Sequence, residues 1–174
     1  MGISSFLSDL RAAANSDKVL ILLKFGLLEH TLHMVFLIRL GQSLSRLPIV
    51  GKMLRFLFEY LIRVIYSSDV SLKASIDKGF VLSHGHDIVI GADVKIGMNC
   101  RLFNGVTLGN RDLSKPSTGN QPTIKNNVVV CTGAKILGPV TLNDGVVIGA
   151  NSVVLKDCDS GFSYVGIPAK KISK

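Results

Sequence analysis

Ile90-Gly91-Ala92-Asp93-Val94-Lys95-Ile96-Gly97-Met98-Asn99-Cys100-Arg101-Leu102-Phe103-Asn104-Gly105-Val106-Thr107-Leu108-Gly109 is the stretch that decides the fold of this 174-residue chain. Aliphatic residues return at every sixth place, Ile90, Ile96, Leu102 and Leu108, while Val94, Cys100 and Val106 fill the fourth place after the first three. Six is neither the helical period of about 3.6 nor the strand period of 2. It suits a coil of three short flat faces, with one aliphatic side chain per face pointing into a prism and a small residue at the corner beside it. The glycine that follows in Ile90-Gly91, Ile96-Gly97 and Leu108-Gly109 is expected to let the backbone turn.

The same phase runs on through Ile124, Val130, Ile136, Leu142, Ile148 and Val154. Going backward, Val70, Ile76, Leu82 and Ile88 continue the fourth-place series, whereas its partner series breaks at Lys78 and His84. The repeat therefore begins near Asp69. From Leu108 to Ile124 the step exceeds two units of six, and Asn110 to Pro122 has the Pro, Gly, Asn and Ser content of an exposed loop. The reading is a mainly β chain: a parallel β-helix over 69–174, a projecting loop over 110–122, and a short α-helical segment over 1–68.

In that first segment Lys52, Arg55, Glu59 and Arg63 fall three and four apart, on one helical stripe, with apolar residues between them. Such an apolar face must pack on its own domain, on a neighbouring subunit or on the headgroup region of a membrane. Val19 to Ile38 is the one transmembrane candidate, but Lys24, Glu29, His30 and His33 interrupt it. A central Lys alone costs about 2.5–3.5 kcal/mol to insert, so a buried or interfacial helix is expected instead. The sixth residue, Phe6, is not the Ser or Thr of a myristoylation signal.

The net charge of +8 divides evenly about Ser68 and forms no block. A spread excess of this kind usually means a solvated basic surface, but it also suits an anionic ligand such as a nucleotide or coenzyme A, and no aromatic-and-basic nucleic-acid motif accompanies it. Cys100, Cys131 and Cys158 lack metal-ligand spacing, and no cleavable signal precedes them. A cytoplasmic protein is expected, with the inner face of the membrane open to it through the basic helices.

Together the repeat, Thr107-Leu108-Gly109, Gly133-Ala134-Lys135-Ile136-Leu137-Gly138, Gly149-Ala150-Asn151-Ser152-Val153-Val154 and Gly166-Ile167-Pro168-Ala169-Lys170 resemble the hexapeptide-repeat acyltransferases. The resemblance is closest to the catalytic half of serine acetyltransferases and covers Asp69 to Lys171. It implies a left-handed parallel β-helix, acetyl-CoA as donor, and a homotrimer in which each coenzyme site lies between two prisms. It further implies His84 as general base with Asp69 as its orienting carboxylate. Gly109, Thr132, Gly133, Ala134 and Ala150 match coenzyme A positions, and Lys170 and Lys171 stand ready for its phosphates. Cys131 and Thr132 replace a Gly-Ala of the family. A spacing of fifteen residues is expected to put Asp69 and His84 on successive coils. Only His84 and His86 lie in the repeat, so a three-histidine zinc site is not expected.

The acceptor is read from departures. Where serine acetyltransferases carry an aspartate before the catalytic histidine and an Arg-His pair before the loop proline, this chain has Ser83, Asn120 and Gln121. The long helical domain of those enzymes is also replaced by a short basic segment. Ser83, His86, Asn104 and Gln121 look like uncharged partners for sugar hydroxyls, and similar short chains resemble acetyltransferases of capsule, exopolysaccharide or O-antigen synthesis. A glycan acceptor is thus expected, with serine acetylation as the alternative. Acetylation of an antibiotic or free sugar, and a non-catalytic scaffold, complete the readings.

Overall fold

In the computed structural model, which describes residues 2–172, the six-residue period becomes fifteen short strands wound into about five coils. The first coil holds β1 (Asp69–Val70), β2 (Ser75–Ile76) and β3 (Val81–Ser83), and the second β4 (Val89–Ile90), β5 (Lys95–Ile96) and β6 (Arg101–Phe103). The third holds β7 (Thr107–Gly109), β8 (Thr123–Ile124) and β9 (Val129–Val130), and the fourth β10 (Lys135–Leu137), β11 (Thr141–Leu142) and β12 (Val147–Ile148). The last has β13 (Val153–Val154), a bridge from Cys158 to Leu142, and β14 (Ser163–Val165), against which β15 (Lys170–Ile172) folds back antiparallel. The coils stack into three faces: β1-β4-β7-β10-β13, β2-β5-β8-β11 and β3-β6-β9-β12-β14-β15. Ile90, Ile96, Leu102, Leu108, Val130 and Ile136 point into the prism and are buried, as the period demands.

Two details differ from the sequence reading. Asp69 pairs with Val89 twenty residues on, whereas Val89 pairs with Thr107 eighteen residues on, so the first coil carries two extra residues. They lie between β3 and β4, around His84-Gly85-His86. Val70, Ile76 and Leu82 are accordingly in register with Ile90, Ile96 and Leu102, not with the fourth-place series, and Ala74 and Phe80 fill the corners. Secondly, Gly91 and Gly97 do not take the left-handed conformation of the turns they precede. The left-handed conformations fall elsewhere, at Gly79, Asn99, Gly105, Asn127, Gly133 and Asn151. Gly97 is required by close approach: a Cβ there would stand 2.8 Å from the backbone of Lys125 in the next coil.

A stacked coil satisfies its neighbours' backbone, but the first coil has no coil beneath it. Helices α1 (Phe6–Ala14), α2 (Val19–Leu28), α3 (His30–Leu44) and α4 (Gly51–Tyr66) supply what is missing. Arg39 donates to the carbonyls of Ile76 at 2.6 Å and Asp77 at 2.7 Å, and Gln42 donates to that of Ala74 at 2.9 Å. Asp9 accepts the Phe80 N–H at 2.9 Å, and Glu59 accepts the Leu72 N–H at 2.9 Å. Met34, Val35, Ile38, Phe58 and Ile62 join the prism interior in one continuous core. The change of period at Ser68 thus divides two kinds of backbone, not two cores. Val19 to Ile38 is not one helix: the chain is extended at Glu29, and α2 and α3 meet there at 86°. Among the described residues no single helix is long and apolar enough to cross a membrane.

Candidate active site

The two extra residues of the first coil make the site. Without them the chain would pass from β3 to β4 in the tight corner used by the other coils. With them it swings outward, and His84 (φ 63°) and Asp87 (φ 55°) take left-handed conformations that non-glycine residues seldom hold. Gly85 lets the swing settle on α3, because a Cβ there would lie 3.1 Å from the Met34 sulfur. The coil closes where the Asp87 N–H donates to the Ser67 carbonyl at 3.2 Å, which brings both of its ends to one edge of the prism. Asp69 and His84 therefore belong to the same coil, its beginning and its end, and not to successive coils.

They are not joined by a hydrogen bond. Asp69 accepts one from Arg63 of α4 at 2.7 Å, both side chains being more than half exposed, and this contact raises the Arg63 pKa. His84 is exposed, its ring centroid 6.4 Å from that of Phe103. It lines a cleft of about 370 Å³ between the third face and the helices, to which Glu29, Thr31, Ser83, Arg101 and Phe103 also contribute. Arg101 donates to the Ser83 hydroxyl at 3.1 Å, and Glu29 accepts from Thr31 at 3.2 Å. One cation and one anion thus line the same cleft as the imidazole. Neither was legible in the repeat: Arg101 looks like an ordinary outward position, and Glu29 reaches the cleft only through the packing of α2 and α3.

Above His84, the carbonyls of His86, Asn104 and Thr132 accept the N–H groups of Gly105 (3.2 Å), Gly133 (2.9 Å) and Asn151 (2.8 Å). His86, Asn104, Thr132 and Ala150 consequently form one column up the edge between the third and first faces, rising about 4.8 Å per coil. Thr132 is tied to Asn104, Oγ1 to Oδ1, at 3.2 Å. Gly133 serves the corner itself, with φ 73°. Ala134 is fully buried with its N–H and carbonyl both bonded, so it belongs to the core and offers a ligand no surface. Lys171 is engaged with Asp159 at 3.0 Å and lies over the Phe162 ring at 3.4 Å, whereas Lys170 is exposed.

Gly109 and Gln121 sit on a different edge, between the first and second faces, at the root of the 110–122 loop. Gln121 does not face outward to a ligand: its Oε1 accepts the Asp93 N–H at 2.7 Å, and its amide fills the space that a Cβ on Gly91 would need. Asn120 donates to the Pro116 and Thr118 carbonyls within the loop. Among the described residues no group of three His, Cys, Asp or Glu could hold a metal ion.

Comparison with known proteins agrees with this geometry. The bacterial transferase hexapeptide (six repeats) family matches residues 121–156. A serine acetyltransferase of Synechococcus elongatus is 39% identical over 128 residues, 74% of this chain and 50% of its own. That of Helicobacter pylori is 41% identical over 114 residues, 66% of each chain. Among solved structures, a serine acetyltransferase in complex with cysteine superposes with a TM-score of 0.86 at 29% identity, over 98% of this chain and 69% of that one. The Brucella abortus serine acetyltransferase in complex with coenzyme A gives 0.87 at 25%, over 98% and 67%. The chain is a left-handed β-helix protein of the hexapeptide-repeat acyltransferase family. Within it, the relatives matched here are serine acetyltransferases, and the chain spans about half to two thirds of the length of the curated ones.

These findings correct the expected glycan acceptor. The relatives and solved structures compared above are serine acetyltransferases, which favours serine acetylation over a capsule, exopolysaccharide or O-antigen acceptor. The inference weighed only Ser83, Asn120 and Gln121, whereas the cleft also holds Arg101 from the second coil and Glu29 from the junction of α2 and α3.

Proposed function

We propose that this chain transfers an acetyl group from acetyl-CoA to the hydroxyl of serine. One observation supports the acceptor above the rest: the His84 cleft holds an arginine and a glutamate, complementary to the carboxylate and ammonium of an amino acid. The names of the relatives point the same way. His84 takes the proton of the acceptor hydroxyl as its oxygen attacks the thioester carbonyl. The coenzyme thiolate then leaves and recovers that proton from the imidazolium. Asp69, on the same edge, steadies the imidazolium once Arg63 yields it. Coenzyme A lies along the column of His86, Asn104, Thr132 and Ala150, with Lys170 near its phosphates.

The division of the remaining residues between two edges supports the homotrimer. The edge of His84 in one copy would face the edge of Gly109 and the 110–122 loop in the next, which completes a site that a single prism leaves open on one side.

The test is incubation of the full chain with acetyl-CoA and L-serine, the product being identified as O-acetylserine by mass. Growth of a cysteine auxotroph lacking its serine acetyltransferase is the cellular counterpart. Arg101→Gln should raise KM for serine by about tenfold or more while the affinity for acetyl-CoA stays unchanged, as loss of one charged hydrogen bond requires. Bound acetyl-CoA with no acetylated serine would overturn the proposed acceptor.

A further inference from the structure

The helices present solvent with apolar surface that nothing in the fold covers. On α4, Phe58 and Ile62 turn inward to the core, whereas Met53, Phe56, Leu57, Tyr60 and Val64 face out. Their spacing of three and four residues makes them one continuous stripe, and Phe56 is 71% exposed. Leu20, Leu23 and Leu27 make a second stripe on α2, Leu20 being 80% exposed. Beside this second stripe an apolar cleft of about 560 Å³ opens between α1 and α2, walled by Leu7, Leu10, Leu22, Leu23 and Leu27.

Charge decides what the stripes meet. Every acid of the helical segment is drawn into internal contacts. Asp9 is buried on Arg39, Asp17 pairs with Arg11, Glu59 accepts the Leu72 N–H, and Glu29 accepts from Thr31. Lys52 borders the α4 stripe, Lys24 borders that of α2, and Lys18 stands just before α2, each exposed and without an acidic partner among the described residues. A second copy docked face to face would set these cations against their own images, which is repulsive. Anionic headgroups would complement them, and acyl chains would cover the stripes. This is the pattern of a helix lying in the membrane interface.

We propose that α4 and α2 form a peripheral docking surface for an anionic lipid bilayer, with the stripe from Met53 to Val64 immersed and Lys18, Lys24 and Lys52 at the phosphates. Of the two helices, α2 also walls the His84 cleft, through Phe25. The proposal stands whatever the acceptor is.

The chain has no tryptophan, so Phe56→Trp supplies a single fluorescent reporter in the stripe. The labelled full chain is titrated with vesicles of phosphatidylcholine alone and of phosphatidylcholine and phosphatidylglycerol in equal parts. The expected result is a blue shift, with partition at least about tenfold stronger to the anionic vesicles and weakened by salt, as several basic contacts imply. Lys24→Glu with Lys52→Glu, and separately Val64→Glu, should abolish binding while circular dichroism is unchanged. No shift with either vesicle would overturn the proposal. So would a shift that appears without vesicles and grows with protein concentration, since the stripes would then be a contact between copies.

Discussion

Arg39 and Asp9 form a bidentate pair, Nε to Oδ2 at 2.8 Å and Nη2 to Oδ1 at 3.2 Å, with neither side chain exposed to solvent. The pair is more than a bond between two helices. Each partner also serves the first coil, Arg39 through two carbonyls and Asp9 through the Phe80 N–H, so every side-chain nitrogen and oxygen of the pair has a partner. Removing one partner strands the other as a buried charge, which costs about 3–5 kcal/mol. Arg39→Met should therefore lower the denaturant midpoint sharply, and Asp9→Asn should do so by less because its remaining oxygen still accepts. Equal midpoints for Arg39→Met and the parent would show that the solenoid does not need this cap.

His84→Ala should reduce kcat by about 10²–10⁴, the usual loss for a positioned base, and leave the thermal midpoint unchanged because the imidazole is exposed and outside the core. Asp69→Asn is the informative companion. If Asp69 acts on the imidazole, kcat falls with little change in KM. If it serves only Arg63, the exposed pair contributes at most about 1 kcal/mol of stability and turnover is unaffected.

The projecting loop is pinned at its base by a reciprocal pair: Asp93 accepts the Gly119 N–H at 2.7 Å, and its own N–H is accepted by Gln121. Asp93→Ala should release the loop. Trypsin should then cut after Arg111 faster by severalfold, with the coils intact by circular dichroism. Unchanged cleavage would mean that the loop's position is fixed by its other contacts.

Burial pushes the Cys100 thiol up to about 11 and, with the charges of Asp157 and Asp159 added, that of Cys158 to about 12. In the unfolded chain these thiols ionise near 9, so above that pH the native state holds more protons than the unfolded one. Their contribution is whole below pH 9 and lost progressively as pH rises toward 11 and 12. The thermal midpoint should fall across that window, and Cys100→Val should reduce the slope. At neutral pH a thiol reagent should modify Cys131, which is only half-buried, well before the other two.

How much of this the sequence disclosed depends on whether a residue obeys the six-fold period. Ile90 to Val154 could be placed because each aliphatic position repeats a constraint the coil below already imposes. The first coil misled: two extra residues at His84-Gly85-His86 shift the phase, and Leu82 takes the place that simple counting gives to another series. Charge patterning found the helix from Lys52 to Ile65, which extends over Gly51–Tyr66, but could not say which way its apolar residues turn. Glu29 and Arg101 were invisible as site residues because their meeting depends on how α2 and α3 rest on the third face. Gln121 was misjudged because a loop amide looks the same whether it caps a backbone N–H or awaits a ligand.

A parallel solenoid is by nature an open-ended template, since each coil offers the next the same ladder of donors and acceptors that it received. Here both ends are closed, one by side chains of α1, α3 and α4 and the other by β15, which runs against the direction of the coils with Lys170 and Lys171 on its strand. Length is thereby a property of one molecule, and end-to-end growth into fibres finds nothing to copy.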